Sequence, residues 1–277
     1  MEPTFIFRAP SPPLAGLIRC HQVIRLRFGP DDPVPAKPYW PRPAIALAFY
    51  PREPEFVRAL GEPVAQKKPR AVLIGQPTLM TCRQGGRDFS VYQIELQPGA
   101  LHRLTGLSAS EITDRYVDAE AVFPLCFRSR ADAIEDTEDP ETMIALAEAY
   151  LFAIANRSGA GASASEWVAA SLLADPSASI DRLAARAGLG PRQLRRQFQD
   201  QAGISPKLFA RIARFDRAVR LGNKQPGEDW LSRAIDAGYY DHQHLARDFR
   251  EFTGLSPTGF ASLEQTSPER VFGRVES

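Results

Sequence analysis

The feature that most constrains the fold is an internal repeat in the C-terminal third of the chain, at an offset of 50 to 51 residues. The matching segments are Ala187-Gly188 with Ala237-Gly238, Leu194 with Leu245, Phe198 with Phe249, and Gly203-Ile204-Ser205-Pro206 with Gly254-Leu255-Ser256-Pro257. Because the same small, apolar and turn-forming residues recur in the same order, the repeat indicates one supersecondary unit used twice.

Each copy is typical of a helix-turn-helix unit. Gly188 permits positive φ just past the end of a first helix. Leu194 and Phe198 lie four residues apart, so they share one face of a second helix and anchor it on the first. Gly203 ends that second helix, and Ser205-Pro206 supplies an N-cap and a first-turn proline to the next one.

The outward faces of the two second helices carry side chains suited to DNA. In the first unit the exposed stripe is Arg192, Arg195, Arg196 and Gln199. In the second unit it is Gln243, Ala246, Arg247 and Arg250, with His242 and His244 at the start of the helix. Arginine donates two hydrogen bonds to guanine and also binds phosphate, and glutamine suits adenine. A solvated surface helix would show a similar composition, but the helix-turn-helix context favours DNA contact.

Apolar residues between the two units predict one long helix from about Pro206 to Leu221, with Leu208, Ile212, Phe215 and Val219 on its inner face. A helix of this length spans roughly 24 Å. Such a strut would hold the two second helices near the ~34 Å repeat of successive major grooves. Arg211, Arg214 and Arg220 on the strut either contact phosphate or face solvent.

Charge is distributed unevenly, although the whole chain carries only +1. From Ser177 to Pro226 there are 11 basic and 3 acidic residues, a balance of +8, which indicates a surface for phosphate. From Gly227 to Ser277 there are 5 basic and 9 acidic residues, a balance of −4. Asp248 and Glu251 beside the second stripe are expected to weaken its attraction for phosphate.

The N-terminal half reads as β-rich. Eighteen of the 24 prolines lie in residues 1–140, and proline is poorly tolerated inside helices. Apolar and polar residues alternate around residues 24–28 and 91–96, whereas residues 44–50 and 72–74 are typical of buried strands. The fold class is therefore α+β with two domains: a β-rich sandwich or barrel, the barrel being cupin-like, with accessory helices, and an all-α domain of two helix-turn-helix units.

Changes in composition along the chain predict the domain boundaries. Residues 1–157 form the β-rich domain, whose last segment, 140–157, has the apolar stripe of an amphipathic helix. Small and polar residues at 158–165 predict a linker. The helical domain then covers 166–263, and 264–277 is a tail. A capping-box spacing at Ser108 and Glu111 predicts the start of a short helix. No apolar run or basic N-terminal segment indicates a membrane span or a signal peptide, which favours the cytoplasm.

The sequence carries no catalytic or metal-binding pattern. His21 and His102 have no partner histidine at ligand spacing, and His242 and His244, two residues apart, do not share a helix face. Three widely spaced cysteines form neither a disulfide framework nor a zinc cluster, and a redox-sensing role for Cys82 or Cys126 is the weaker alternative. We therefore predict no enzyme activity, no metal and no cofactor.

Residues of about 165–262 resemble the DNA-binding domain of AraC/XylS transcriptional regulators. The resemblance is carried by the run from Ala237 to Pro257, by Leu183-Ala-Ala-Arg-Ala-Gly188, and by the Leu194, Phe198 and Gly203 to Pro206 positions. It places the family's base-reading sites on Arg192, Arg195, Arg196, His242, Gln243 and Arg247. The stretches Tyr92–Ala100 and Leu107–Arg115 resemble a β-rich regulatory domain found in one subgroup of that family.

The resemblance implies a bacterial, cytoplasmic regulator of transcription whose partner is double-stranded promoter DNA. Family habit favours an activator, which implies contact with RNA polymerase. The N-terminal domain is expected either to bind a small effector, whose residues the sequence does not identify, or to serve only dimerisation, with the helix near 140–157 as the dimer surface. A small-molecule sensor with weak DNA affinity is the remaining alternative.

Overall fold

The computed structural model describes residues 3–124, 126–224 and 234–271. The strands are β1 (Thr4–Arg8), β2 (Ile18–Arg27), β3 (Lys37–Tyr39), β4 (Ala46–Phe49), β5 (Phe56–Ala59), β6 (Gln66–Lys67), β7 (Ala71–Ile74), β8 (Thr81–Gln84), β9 (Asp88–Leu96) and β10 (Tyr116–Asp118). The helices are α1 (Ala100–Thr105), α2 (Phe127–Asp136), α3 (Pro140–Ser158), α4 (Ala164–Ala174), α5 (Ile180–Arg186), α6 (Pro191–Ala202), α7 (Pro206–Lys224), α8 (His242–Thr253), α9 (Pro257–Glu264) and α10 (Pro268–Val271). A β-rich domain followed by a helical domain is confirmed.

The strands form two open antiparallel sheets and not a closed barrel. The larger sheet has the order β1-β2-β9-β4-β7-β10, and the smaller one the order β3-β8-β5-β6. One face of the larger sheet, including Val23, Leu47, Phe49 and Tyr92, packs in the core that the helices α1 to α3 share. The opposite face, including Ala48 and Val91, is turned toward the smaller sheet, so the central strands are buried on both sides.

Helix α3 packs on its own domain. Its apolar stripe, including Met143, Ala147, Leu151 and Ile154, is buried in the core of the N-terminal domain itself. The stripe therefore covers the sheet of its own chain and leaves the outer face of the helix, with the exposed Phe152, for the dimer contact, which stays a prediction. The short helix predicted after Ser108 is a single 3-10 turn, Ala109–Glu111, and the Ser108 side chain makes no capping hydrogen bond.

The helix caps of the helical domain recur at equivalent positions in the two copies of the repeat. Gly203 and Gly254 end α6 and α8 with φ of 78° and 73°. Gly188 and Gly238 also have positive φ, in the turns that precede these helices. Ser256 Oγ accepts a hydrogen bond from Gly259 N at 3.1 Å, and Ser205 Oγ accepts one from Leu208 N at 3.3 Å. Helix α7 begins at Pro206 as predicted and buries Ile212, Phe215 and Val219.

The two domains are docked against each other. Trp40 and Met80, both from the β-rich domain, are buried in the core of the helical domain. The Trp40 indole donates to Asp216 Oδ1 at 2.8 Å, and Met80 N donates to the Phe252 carbonyl at 2.8 Å. Helices α3 and α4 are joined by residues 159–163. The predicted division at 158–165 stays a prediction, and residues 272–277 of the predicted tail lie outside the described residues.

Candidate DNA-binding surface

The first recognition helix, α6, presents its predicted stripe to solvent. Leu194 and Phe198 are buried against the neighbouring helices, whereas all four predicted side chains are exposed: Arg192, Arg195, Arg196 and Gln199. The helix begins with Pro191 and has no acidic residue in its first turn. Because the free N–H groups of a helix start favour anions, the N-terminal half of α6 is suited to a phosphate-rich partner.

The C-terminal end of α6 is held by the β-rich domain. Gly99 N donates to the Gln201 carbonyl at 3.2 Å, and Thr113 Oγ1 donates to the Gly203 carbonyl at 2.9 Å. The Ser108 hydroxyl, predicted as a local cap, instead donates to Asp200 Oδ1 at 3.0 Å. The recognition face therefore stays open while the last turn of the helix is fixed.

The second recognition helix, α8, has the same arrangement. Leu245 and Phe249 are buried, and the predicted side chains are exposed: His242, Gln243, Arg247 and Arg250. Asp241 caps the helix by accepting a hydrogen bond from His244 N at 2.8 Å. His244 is exposed beside this cap. Both predicted stripes thus lie on the outer surface, while their contacts with DNA stay predictions.

The acidic residues beside the second stripe are engaged by side chains of the same protein. Arg211 on α7 donates to Asp248 at 2.7 Å and to Glu251 at 2.5 Å, and the Tyr239 hydroxyl donates to the other oxygen of Asp248 at 3.0 Å. The hydrogen bond from Arg211 lowers the pKa of Glu251 below its usual value. Asp248 and Glu251 therefore oppose phosphate less than the sequence suggests, and Arg211 is occupied by them.

A cleft of about 690 Å³ separates α7 from the second unit. Basic side chains from both sides line it, namely Lys207, Arg214 and Arg247, together with Ser177 and Tyr240. The Arg214 guanidinium lies 5.4 Å from the Tyr239 ring centroid. The two acidic groups in the cleft, Asp248 and Glu251, are bound by Arg211, and the lining keeps an excess of basic over acidic side chains.

Sequence reasoning missed several members of this surface. Lys207 lies at the start of α7 and Tyr240 immediately before the cap of α8. Their closeness in sequence to the two helix-turn-helix units is the signal that could have identified them. The pairing of Arg211 with Asp248 had no such signal, because 37 residues separate the two. Arg220, which the sequence left open as a phosphate contact, is bound to Asp216 at 2.8 Å.

A second candidate site lies in the β-rich domain. A cavity of about 50 Å³ opens between the two sheets, with an apolar wall formed by Ile24, Leu26, Phe28, Phe89 and Val91. Tyr39, Tyr50, Glu55 and Arg83 form its polar side, and Lys37 and Glu269 also line it. Sequence reasoning named no effector residue, although the alternation at Ile24, Leu26 and Phe28 did place these side chains on one face.

Buried charges support the polar side of this cavity. Lys68 is paired with Glu55, which also accepts a hydrogen bond from the Tyr50 hydroxyl at 2.8 Å. Burial, with Arg83 nearby, lowers the pKa of Lys68 to about 7. Burial would raise the pKa of Glu55, but the charges of Lys68 and Arg83 hold it below the usual value. The site therefore keeps an ionised carboxylate inside the domain.

Two other kinds of site are absent from the part of the chain that the structure describes. Among the described residues, no group of three or more histidine, cysteine or acidic side chains is arranged to hold a metal ion. No helix within the same residues combines the length and apolar character needed to cross a membrane.

Comparison with known proteins gives matches in both halves. Residues 183–262 match a family described as a helix-turn-helix domain, and residues 7–118 match a family described as a domain of unknown function, DUF6597. Over 79 residues the chain is 30% identical to the HTH-type transcriptional regulator MtrA of Neisseria gonorrhoeae. That match covers 28% of the chain and 26% of MtrA, so it spans about a quarter of the relative.

Solved structures of ToxT from Vibrio cholerae align over most of the chain. The apo structure of a lysine-to-alanine variant covers 92% of this chain and 99% of its own, with 10% identity and a TM-score of 0.48. A second ToxT structure, at 1.65 Å resolution, covers 88% of this chain and 97% of its own, with 8% identity and a TM-score of 0.48.

Proposed function

We propose that the chain is a sequence-specific, DNA-binding regulator of transcription of the AraC/XylS type, because residues 183–262 match a helix-turn-helix family. The observation that carries the proposal is the repeated unit itself. Each copy buries its leucine and phenylalanine and turns a row of polar and basic side chains to solvent, on α6 and on α8. Each of these helices would occupy one of two adjacent major grooves.

The cleft between α7 and the second unit supports the same proposal. On a duplex read by both helices, the sugar-phosphate backbone between the two grooves would pass near α7, which joins the two units. Lys207, Arg214 and Arg247 supply positive charge in that position, and phosphate contacts account for much of the affinity of such proteins. The stripes of α6 and α8 would then supply the sequence selectivity.

The proposal is tested by substituting Arg196 with alanine. Affinity is measured by mobility shift on an operator that the wild-type chain has first selected from random duplex DNA. If Arg196 reads a base, the variant loses about 1–3 kcal/mol on that operator and discriminates less between bases at one position. Arg58→Ala, at an exposed position on β5 of the β-rich domain, removes the same charge outside the stripe and serves as the control. Unchanged affinity of the Arg196 variant for every sequence would remove this residue from the reading face.

We further propose that the regulator acts as an activator in the bacterial cytoplasm, by binding beside a promoter and contacting RNA polymerase. A reporter gene behind the operator distinguishes this from repression, since expression should fall when the gene for the regulator is deleted. Increased expression in the deletion strain would contradict the activator role without affecting the DNA-binding proposal.

The β-rich domain is proposed to bind a small effector in the cavity between its sheets. The lining of the cavity combines an apolar wall with a few buried polar groups, as in ligand sites, and at about 50 Å³ the cavity would have to widen to admit an effector of more than a few atoms. The alternative is a domain that serves only dimerisation. Sedimentation of the full chain over a range of concentrations, with and without ligands, separates the two: a monomer at all concentrations excludes the dimerisation role.

A further inference from the structure

A separate pocket of the β-rich domain, of about 290 Å³, lies among α1, the segment before α2, and the C-terminal half of α3. Its lining residues differ from those of the cavity between the sheets. Leu104, Pro124 and Ile154 form an apolar wall, and among the described residues of the lining Arg157 carries the one charge. The volume is close to the lower end of the range for small-molecule sites, about 300–1,000 Å³. The pocket therefore suits a small, mainly apolar molecule.

Tyr150 on α3 lines this pocket and carries a hydroxyl without a partner. The residue is 6% exposed, and its hydroxyl is buried with no hydrogen-bond partner. The rings of Phe123 and Phe127, with centroids at 6.3 and 5.7 Å, hold the Tyr150 ring in place. Burial raises the pKa of the hydroxyl, so it stays protonated and can donate. Because buried polar groups are normally satisfied, this donor points to an acceptor that a ligand would bring.

The same pocket is lined by an exposed thiol, that of Cys126. Cys126 occupies the N-cap position of α2, where the free N–H groups of the helix start favour an anion. The thiolate is the reactive form of cysteine. Its negative charge raises the pKa of Tyr150 further, so the sulfur and the hydroxyl are close enough to interact. A nucleophile and a hydrogen-bond donor therefore share one pocket.

The other two cysteines are less suited to react. Cys20 on β2 is half-buried, and burial together with the charge of Glu95 raises the pKa of its thiol to about 11. At neutral pH this thiol stays protonated and is a poor nucleophile. Cys82 on β8 is also half-buried. The structure therefore singles out Cys126 as the thiol that a small reagent can reach.

Going beyond the proposed function in DNA binding, we propose that Cys126 is a covalent modification site for small α,β-unsaturated aldehydes and ketones. The thiolate adds to the β-carbon: the C–S bond forms, the C=C π bond breaks, and its electron pair moves onto the carbonyl oxygen. The Tyr150 hydroxyl donates to this oxygen as the enolate charge develops. The α-carbon then takes a proton from water. The thiol proton has gone to solvent, so the step needs no oxidant, no reductant and no leaving group.

An adduct in this pocket would lie against elements that lead into the helical domain. Leu104 of the pocket wall belongs to α1, and Gly99 N, just before α1, donates to the Gln201 carbonyl of α6 at 3.2 Å. Ser158, also in the lining, ends α3 before the connection to α4, and its hydroxyl donates to the Arg103 carbonyl at 2.6 Å. The modification site is therefore next to the junction of the two domains.

The test follows adduct formation on the full chain, without DNA, by mass spectrometry with peptide mapping. Cyclohex-2-enone is the probe. Iodoacetamide, which loses iodide to the thiolate and builds no enolate, is the reference reagent. The wild-type chain should take its first enone adduct on Cys126, and Cys126→Ser should lose that adduct. Tyr150→Phe keeps the ring and removes the donor. It should slow enone addition by about ten-fold or more, since one oxyanion donor in a closed active site contributes about 10²–10³, and leave the iodoacetamide rate unchanged.

Cys82→Ser, which removes a half-buried thiol outside the pocket, is the matched control and should leave the enone rate unchanged. Thermal melting of Tyr150→Phe should match the wild type, because the hydroxyl that it removes has no partner. A first adduct on Cys20 or Cys82 would overturn the proposal, as would a Tyr150→Phe variant that slows both reagents equally or neither. Mobility shift of the unmodified chain on its selected operator reports the DNA-binding proposal separately.

Discussion

Individual arginines of the helical domain have different roles although they lie within 20 residues of one another. Arg196 is exposed on the recognition face of α6, whereas Arg211 on α7 holds Asp248 and Glu251. Arg211 also lies 5.1 Å from the Phe252 ring centroid, so it fastens α8 to the long helix. The first arginine is expected to matter for recognition and the second for stability.

Replacing Arg211 with methionine should lower the free energy of unfolding by on the order of 2–3 kcal/mol, because Asp248 is left buried without its cation. The cost stays below that of a fully buried pair, since the Arg211 side chain is 23% exposed and Asp248 8%. Urea denaturation measures the effect. Arg217→Met, an exposed site on the same helix, should change stability by less than about 0.5 kcal/mol. Equal effects at both positions would contradict the assigned role.

Glu135 gives the β-rich domain a pH-dependent stability. Burial raises its pKa to about 7, against the opposing charge of Arg70 and with help from Asp132, Asp136 and Glu120. The folded chain therefore binds more protons than the unfolded one between the ordinary glutamate pKa and pH 7. The contribution to stability is greatest in acid and declines as the pH rises through 7.

Glu135→Gln should accordingly flatten the pH profile of stability. Relative to the wild type, the variant should gain stability on going from pH 5 to pH 8, because it no longer carries a desolvated charge at the higher pH. Denaturant unfolding at both values measures the difference. The exposed Glu138→Gln is the control, and a Glu135 variant whose profile runs parallel to the wild type would refute the assignment.

At the scale of residues, the sequence predicts which side chains are exposed better than it predicts which side chains pair with each other. The four-residue spacing of Leu194 and Phe198 is enough to place Arg192 and Arg196 on the outside, because one helix face determines the other. It cannot pair Arg211 with Asp248, or Trp40 with Asp216, since those contacts arise only when separate segments pack together. The same holds for Lys37 and Glu269 at the cavity rim.

At the scale of elements, the glycine that ends the first recognition helix differs in its surroundings from the glycine in the preceding turn. A Cβ on Gly203 would lie 2.6 Å from Thr113 Oγ1 and 3.0 Å from the Ala109 carbonyl oxygen, both in the β-rich domain. A Cβ on Gly188, in the turn of the same unit, would meet nothing within 4 Å. Both residues have positive φ, so they share the backbone cost and differ in the steric one.

This difference predicts the ranking of two alanine variants. Gly188→Ala should lose about 1–2 kcal/mol of stability for the left-handed backbone alone. Gly203→Ala should lose clearly more, because Thr113 must also move and its hydrogen bond to the Gly203 carbonyl is broken. Denaturant unfolding of the two variants gives the comparison. Equal losses would show that the contact of Gly203 with the β-rich domain contributes nothing to stability.

Elements with a strong periodic pattern were predicted from sequence, including the paired units, α7 and the central strands. The exceptions have physical reasons. The strands do not close into a barrel because β3, β5, β6 and β8 pair among themselves as a separate sheet. The turn after Ser108 stays short because its hydroxyl is used by Asp200 of another domain and not by the local backbone.

For the whole molecule, Trp40 is the side chain that most directly joins the two domains. It is fully buried, donates to Asp216, and meets the Phe260 ring edge-on at 5.8 Å. It thus contacts the core shared by α7 and the second unit while belonging to the β-rich domain. The docked arrangement of the two domains is expected to depend on it.

Trp40→Ala should lower stability by about 3–5 kcal/mol, as for other large aromatic residues removed from a core. It should also speed proteolytic cleavage within residues 159–163, because the domains separate more often. Trp167→Ala, which removes an indole that is 41% exposed on α4, is the matched control and should have a much smaller effect on both. Cleavage rates that are the same in the two variants would argue against the docking role.

The short connection between α3 and α4 limits how far the two domains can move apart. Five residues span at most roughly 18 Å when fully extended. Partners on so short a tether meet at an effective concentration in the millimolar range, so contacts too weak to hold two free proteins together suffice here. Opening and closing then form an equilibrium within one molecule, and any switch built on it would respond to the same signal level whether a cell holds few copies of the protein or many.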